Sequence, residues 1–165
     1  MQAELVVTGL GWLGKGIRSY SAVLKELIAG ATSQLDVTAY SITPGADEVL
    51  GEIDKKIRQG ILVRLVIDDI EGQSELLRKQ LREMSDRNSD GLKIWTFPHH
   101  DPHSGLHAKV VVADRSLALI GSANLSFRGL NSAHELAIRV GPPAATSASA
   151  CIDGLIASKK VDPWP

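Results

Sequence analysis

The chain has 165 residues, of which 44% are hydrophobic and 22% charged, and its formal net charge is −1. This length suits one domain with a real core, spanning 1–165 with 141–165 as a less certain tail, and leaves no room for a second copy of a long motif. The balance excludes a disordered or fibrous chain, and any affinity for nucleic acid must come from a local basic patch.

Residues 4–8 (ELVVT) read as a short strand, followed by a glycine-rich stretch over 9–16. Val23, Leu24, Leu27, Ile28 and Ala31 recur at helical spacing and predict an amphipathic helix from Tyr20 to about Thr32. A strand is expected over 35–42, ended by Thr43-Pro44-Gly45. A second helix follows, with Val49, Leu50, Ile53 and Ile57 inward and Gly60 at its C-terminal cap. Residues 61–67 (ILVRLVI) are dense in β-branched side chains and suit a central strand covered on both faces. Leu76, Leu77, Leu81 and Met84 mark a third helix, 92–97 a strand, and 98–106 a loop rich in histidine. Strands are expected over 107–113, 118–123 and 135–140, and the tail carries a short helix around 148–159. Strands that alternate with helices and then run consecutively imply an α/β fold, a mixed β-sheet flanked by helices on both faces.

The glycine-rich stretch imitates two phosphate-binding loops, but Gly16 stands where a P-loop needs Ser or Thr, and Asp36 begins the next strand, whereas a dinucleotide site needs its acid at the end. A loop near the rim of a site is the expectation. His99, His100, Asp101 and His103 lack the spacing of a metal site, so a loop at the mouth of a cleft is preferred to metal ligation. Asp68, Asp69 and Glu71 follow a central strand without a lysine motif, so a metal nuclease ranks low; no metal or cofactor is expected. Trp12 and Trp95 are expected to pack. Arg128 reads equally as a phosphate contact or a solvated turn residue.

The chemistry lies in His107, Lys109, Asp114 and Gly121-Ser122-Ala123-Asn124, which spell H-x-K-x4-D-x6-G-S-x-N. If Arg115 and Ser116 form a two-residue hairpin loop, Asp114 pairs with Leu117, His107 lies opposite Asn124 and Lys109 opposite Ser122. Side chains two apart share a face, so the four polar groups converge. Asp114 has the opposite parity and is assigned with Gly121 to a structural role, accepting backbone N–H bonds or pairing with a cation.

This motif resembles the signature of the phospholipase D superfamily, and its single copy resembles the small dimeric Nuc-type endonucleases. The resemblance implies a phosphodiesterase in which one histidine attacks phosphorus and a second protonates the leaving oxygen. His107, Lys109, Asn124 and Glu135 are then the catalytic residues, and Lys109, Ser122 and Asn124 hold phosphate. In the single-motif nucleases a glutamate eleven residues after the asparagine, here Glu135, accepts a hydrogen bond from the nucleophilic histidine, which fixes its tautomer. One motif per chain implies a homodimer with a composite site. A metal-independent endonuclease acting on DNA or RNA is favoured over a phospholipase or phosphatidyl transferase. Glu4-Leu5-Val6-Val7-Thr8-Gly9 with Arg18-Ser19 is similar to the phospholipase-D-like component of the DISARM antiphage defence system, which implies as the alternative a non-catalytic or nucleic-acid-binding subunit with defence-complex partners.

The N-terminus lacks a basic stretch followed by an apolar region, and no apolar run approaches the roughly 18 residues of a membrane span. A cytoplasmic protein without membrane contact is expected. The lone Cys151 agrees with a reducing compartment.

Overall fold

The structure is a computed structural model that describes residues 3–14, 16–98 and 104–165. The histidine-rich cluster at 99–103 lies outside the described residues, so neither its loop character nor metal ligation there is tested.

Three parallel strands, β3 (Gln34–Ala39), β4 (Leu62–Asp68) and β5 (Leu92–Phe97), form one half of a nine-stranded sheet; the elements before them are β1 (Glu4–Thr8), β2 (Arg18–Ser19) and the helix α1 (Tyr20–Gly30). The helix α2 (Asp47–Arg58) connects β3 to β4, and α3 (Glu75–Arg87) connects β4 to β5. The motif forms the antiparallel hairpin β6 (Lys109–Ala113) and β7 (Leu117–Gly121); β8 (Glu135–Val140), α4 (Ala144–Ala157) and β9 (Asp162–Trp164) complete the chain. The strand order is β2-β1-β8-β7-β6-β3-β4-β5-β9, a mixed sheet with helices on both faces.

Local chemistry explains the helices. Ser19 accepts from the Ala22 amide at 3.2 Å and starts α1; Ser74 does the same for Leu77 at 3.3 Å and starts α3. Helix α2 has Asp47 and Glu48 in its first turn and Lys55, Lys56 and Arg58 in its last, which suits its dipole. Gly60, at φ +81°, lies one position beyond the cap. Val23, Leu27, Val49, Ile53, Leu81 and Met84 pack with Leu35, Val37, Leu65 and Ile94 in one core on the α1–α3 side. On the other side α4 lays Ala145 and Ile152 on Val66, Val112 and Ala118.

Helix α4 is also held by charge. Asp36, fully buried, receives Arg64 Nε at 2.7 Å and Nη2 at 2.9 Å and the Ser149 hydroxyl at 3.2 Å, while Arg64 reaches Asp153 at 2.8 Å. This network ties the tail segment to the sheet, and α4 begins earlier than the sequence pattern suggested because its small residues at Ala145 and Ser149 can approach the strands closely. The two short edge strands β2 and β9 have no periodicity to announce them. Leu76, apolar in sequence, is 69% exposed, while Leu77, Leu81 and Met84 form the inner face of α3. Among the described residues no helix is long and apolar enough to cross a membrane.

Candidate active site

The hairpin turn sets the register, and it is not the expected one. Asp114 and Arg115 both have positive φ, 51° and 57°, and Ser116 N donates to Ala113 O at 3.0 Å. The central turn residues are therefore Asp114-Arg115, a mirror-image turn that suits the strand twist. Ala113 pairs with Leu117 and Lys109 with Gly121, one residue away from the Lys109–Ser122 pairing expected. The strands are also shorter than predicted: β6 starts at Lys109 and β7 ends at Gly121, so His107, Ser122 and Asn124 extend from strand ends. A one-residue slip would send Ser122 to the wrong face of a continuing ladder, but the β6–β7 ladder stops at Gly121.

Asp114 is what fixes this turn. Its carboxylate accepts from the amides of Thr32 (2.9 Å), Ser33 (2.7 Å) and Gln34 (3.0 Å) and from the hydroxyls of Thr32 and Ser33. Burial pushes its carboxyl group up, but the bonds from Gln34, Ser33 and Thr32 outweigh that and hold it well below the usual carboxylate range. The group lashes the hairpin to the α1–β3 junction at the end of the hairpin remote from His107.

At the opposite end, Lys109 Nζ donates to the His107 carbonyl at 2.7 Å and lies 3.2 Å from His107 Nδ1. Lys109 is buried, and His107 is exposed. Burial lowers the pKa of Lys109, opposed by the charges of Glu135 and Asp68. Glu135 accepts the Ser122 hydroxyl rather than a His107 nitrogen, so the expected Glu135–His107 bond is replaced by a Glu135–Ser122 bond whose charge reaches Lys109. Ser122 is itself seated on β8, its amide donating to Leu136 O at 3.0 Å. Gly121 permits this close approach, since a Cβ there would lie 2.4 Å from the Ala137 Cβ.

Asn124, two residues beyond Ser122, lines a cavity with Ser41, Thr43 and Arg128. Its backbone is packed against Gly129, where a Cβ would fall 2.2 Å from the Asn124 carbonyl, and its buried Oδ1 has no hydrogen-bond partner. The unpaired Oδ1 can accept from a ligand hydroxyl or N–H, and the Nδ2 of the same amide is the group that can donate to a phosphate oxygen.

Tyr40 and Gln73 border the site without a sequence signal of their own, and Asp68, read in sequence only as a strand-end acid, borders it too. The Tyr40 ring lies 4.5 Å from the His107 ring, centroid to centroid, with Lys109 Nζ 5.0 Å above its face. Asp68, buried at the end of β4, accepts the Leu106 amide at 2.7 Å and so anchors the residue before His107. Gln73 donates to the carbonyls of Tyr40 (3.2 Å) and Asp68 (3.0 Å) and accepts from Ile42 N, bracing both. Only adjacency in the sheet, β3 beside both β4 and β6, brings these residues to the motif. The glycine-rich stretch packs Trp12 edge-on against His134, 5.1 Å between centroids, next to Glu135. Gly9 and Gly11 leave room for that ring, since a Cβ at either would come within 3.0 Å of it. Trp95 packs partly buried against the α4 side of the core.

This sheet, with a histidine–lysine pair at the end of its central hairpin, is the fold of the phospholipase D superfamily phosphodiesterases. The chain belongs to the family described as cardiolipin synthase, PLD-like domain, which matches residues 24–151. Nuc, a phospholipase D family member from Salmonella typhimurium, superposes with a TM-score of 0.75 at 17% identity, covering 99% of this chain and 97% of that one. NucT from Helicobacter pylori gives 0.74 at 14% identity, covering 99% and 100%. Phosphatidylserine synthase from Haemophilus influenzae Rd KW20 gives 0.74 at 14%, covering 98% of this chain and 40% of that one. In sequence, the DISARM protein DrmC of Bacillus paralicheniformis is 27% identical over 139 residues, 84% of this chain. The chain spans 56% of the length of that relative.

Proposed function

We propose that this protein is a metal-independent phosphodiesterase, most simply an endonuclease acting on DNA or RNA, that works through a phosphohistidine on His107 in a site completed by a second copy of the chain. The observation that carries the reading is the pairing of an exposed imidazole with a buried ammonium, Lys109 Nζ 3.2 Å from His107 Nδ1, beside the Glu135–Ser122 pair. A cation, hydroxyl and amide supplied by Lys109, Ser122 and Asn124 can carry the charge that a metal carries in other phosphodiesterases.

The hydrogen bonds suggest how the two copies divide the work. With ammonium Lys109 against Nδ1, the ring proton sits on Nε2, and His107 is a proton donor. When a phosphoryl oxygen takes Lys109 away, the proton can pass to Nδ1, with Glu135 nearby to receive it, and Nε2 is left free to attack phosphorus. One copy's histidine then serves as nucleophile while its twin's protonates the leaving oxygen. Water activated by that second imidazole hydrolyses the phosphohistidine.

An apolar face supports the pairing. Leu5, Leu136 and Ile138 are 49%, 45% and 39% exposed, and Leu5 and Ile138 are direct partners across β1 and β8. Helix α4 covers β3, β6 and β7 and leaves these side chains bare. Leu136 lies at the same end of β8 as Glu135 but on the opposite face, so the two-fold axis we propose runs past this end of the sheet, where the half-sites also lie.

The similarity to DrmC favours a second reading, a subunit of an antiphage defence complex whose fold binds nucleic acid without cutting it. Incubation with plasmid DNA, single-stranded DNA, RNA and phosphatidylcholine in EDTA, beside His107→Ala, separates the readings. Nucleic-acid cleavage that survives EDTA and is lost in the variant is the result expected. Cleavage abolished by EDTA contradicts it, lipid turnover alone points to a phospholipase, and binding without turnover favours the defence subunit.

A further inference from the structure

We propose that the cavity between Thr43-Pro44 and the Asn124–Arg128 segment is a nucleotide subsite, in which Phe127 stacks on an unpaired base of the strand whose neighbouring phosphate sits at His107, and Arg128 contacts a further phosphate. This rests on the nuclease reading above and adds to it a preference for single strands.

Phe127 is 60% exposed, an unusual position for a phenyl ring in a protein whose other large side chains are mostly buried. Its backbone is nonetheless tightly fixed. Gly45, at φ +98°, packs so closely that a Cβ there would lie 2.6 Å from the Phe127 Cβ; the Phe127 amide reaches Pro44 O, and its carbonyl accepts from Asn131 Nδ2 at 3.1 Å. Thr43 N also donates to Leu125 O at 2.9 Å, and Ile42 bridges Leu125, so the two walls of the cavity are joined. A ring on a fixed backbone, with only two side-chain torsions to order, loses little freedom when a planar partner stacks on it.

The cavity, about 380 Å³, is lined by Asn124, the proposed phosphate ligand, and by Ser41, the neighbour of Tyr40, whose ring lies 4.5 Å from that of His107, so on the nuclease reading a base bound here is close to the phosphate at His107. It also contains Arg128, exposed at its rim. The cavity on the other flank of the Tyr40–Pro44 segment is lined by Asp69, whose carboxylate repels a polyanion, and holds no cation among its described lining residues. Charge therefore directs a strand from His107 toward Arg128. Bases in a duplex are already stacked on their neighbours and cannot lie on Phe127, whereas bases of a single strand can.

The test measures binding of a fluorescent single-stranded oligonucleotide and of its duplex by anisotropy, together with cleavage of both. Phe127→Ala is expected to weaken single-strand binding roughly 10-fold or more, the range of one base stack. It should change duplex binding far less, and Phe127→Tyr should restore single-strand binding. Arg128→Ala should flatten the salt dependence by about one phosphate contact. Single-strand binding by Phe127→Ala within about twofold of the parent, or an equal loss on single strand and duplex, or no rescue by Tyr, overturns the subsite. The nuclease reading is scored separately with bis(p-nitrophenyl) phosphate. Turnover of that ester by the parent and not by His107→Ala upholds the phosphodiesterase whatever Phe127 does. Turnover of the ester without oligonucleotide binding removes both the subsite and the nucleic-acid substrate.

Discussion

At the scale of single residues, the site depends on where Lys109 spends its charge. The ammonium is buried, which lowers its pKa, and Glu135 and Asp68 oppose that shift. Removing one of those carboxylate charges makes the cation harder to keep. Glu135→Gln should therefore move the basic limb of the pH–activity profile to lower pH, because the ammonium is lost at a lower pH as pH rises. It should also reduce turnover by about 10- to 100-fold through the loss of an oriented partner for the histidine and Ser122. A profile that keeps its basic limb while only the rate falls would mean that Glu135 does not set the charge on Lys109. Tyr40 and Gln73 belong at this scale too: neither is part of the motif, yet one touches both His107 and Lys109 and the other holds it in place.

At the scale of elements, the β6–β7 hairpin shows what the motif aspartate does. Asp114 sits at positive φ, which Asp tolerates better than most residues, and gathers three backbone amides from the α1–β3 junction. Its folded pKa is depressed, so its stabilisation is complete above the ordinary carboxylate value and is lost as pH falls through the folded value. Asp114→Asn keeps the shape and the tolerance for positive φ, and should cost about 2 kcal/mol at neutral pH, with the deficit closing in acid. Urea unfolding at neutral and acidic pH checks this; a deficit that does not change with pH would assign the effect to packing. The hairpin also marks how far the sequence could be read. Periodicity found α1, α2, α3 and the buried strands because each must bury one face or both. Parity placed Asp114 apart from His107, but the loop assumed for the turn was one residue too far along, because nothing local says that Asp114 and Arg115 will both take positive φ. That choice is made by Thr32, Ser33 and Gln34, far away in sequence. The same reason hid β2, β9, Tyr40 and the Asp36–Arg64–Ser149 link that seats α4: each exists only through a partner that the sheet brings near.

At the scale of the whole molecule, the proposed half-site lies at the same end of the sheet as a bare apolar face on β1 and β8. Leu136→Glu puts a charge at the centre of that face without entering the core, so it should lower the mass in light scattering from dimer to monomer and remove most of the turnover, with thermal stability little changed. Unchanged mass with full activity would place the interface elsewhere. The central claim, that each site needs a histidine from two copies, is tested most directly by co-expressing wild-type and His107→Ala chains in varied proportion and measuring phosphodiester turnover per total protein. Turnover is expected to fall as the square of the wild-type fraction, because a mixed dimer holds one histidine where two are needed. Turnover that falls in simple proportion to the wild-type fraction would show that each chain carries a complete site by itself, and would contradict it.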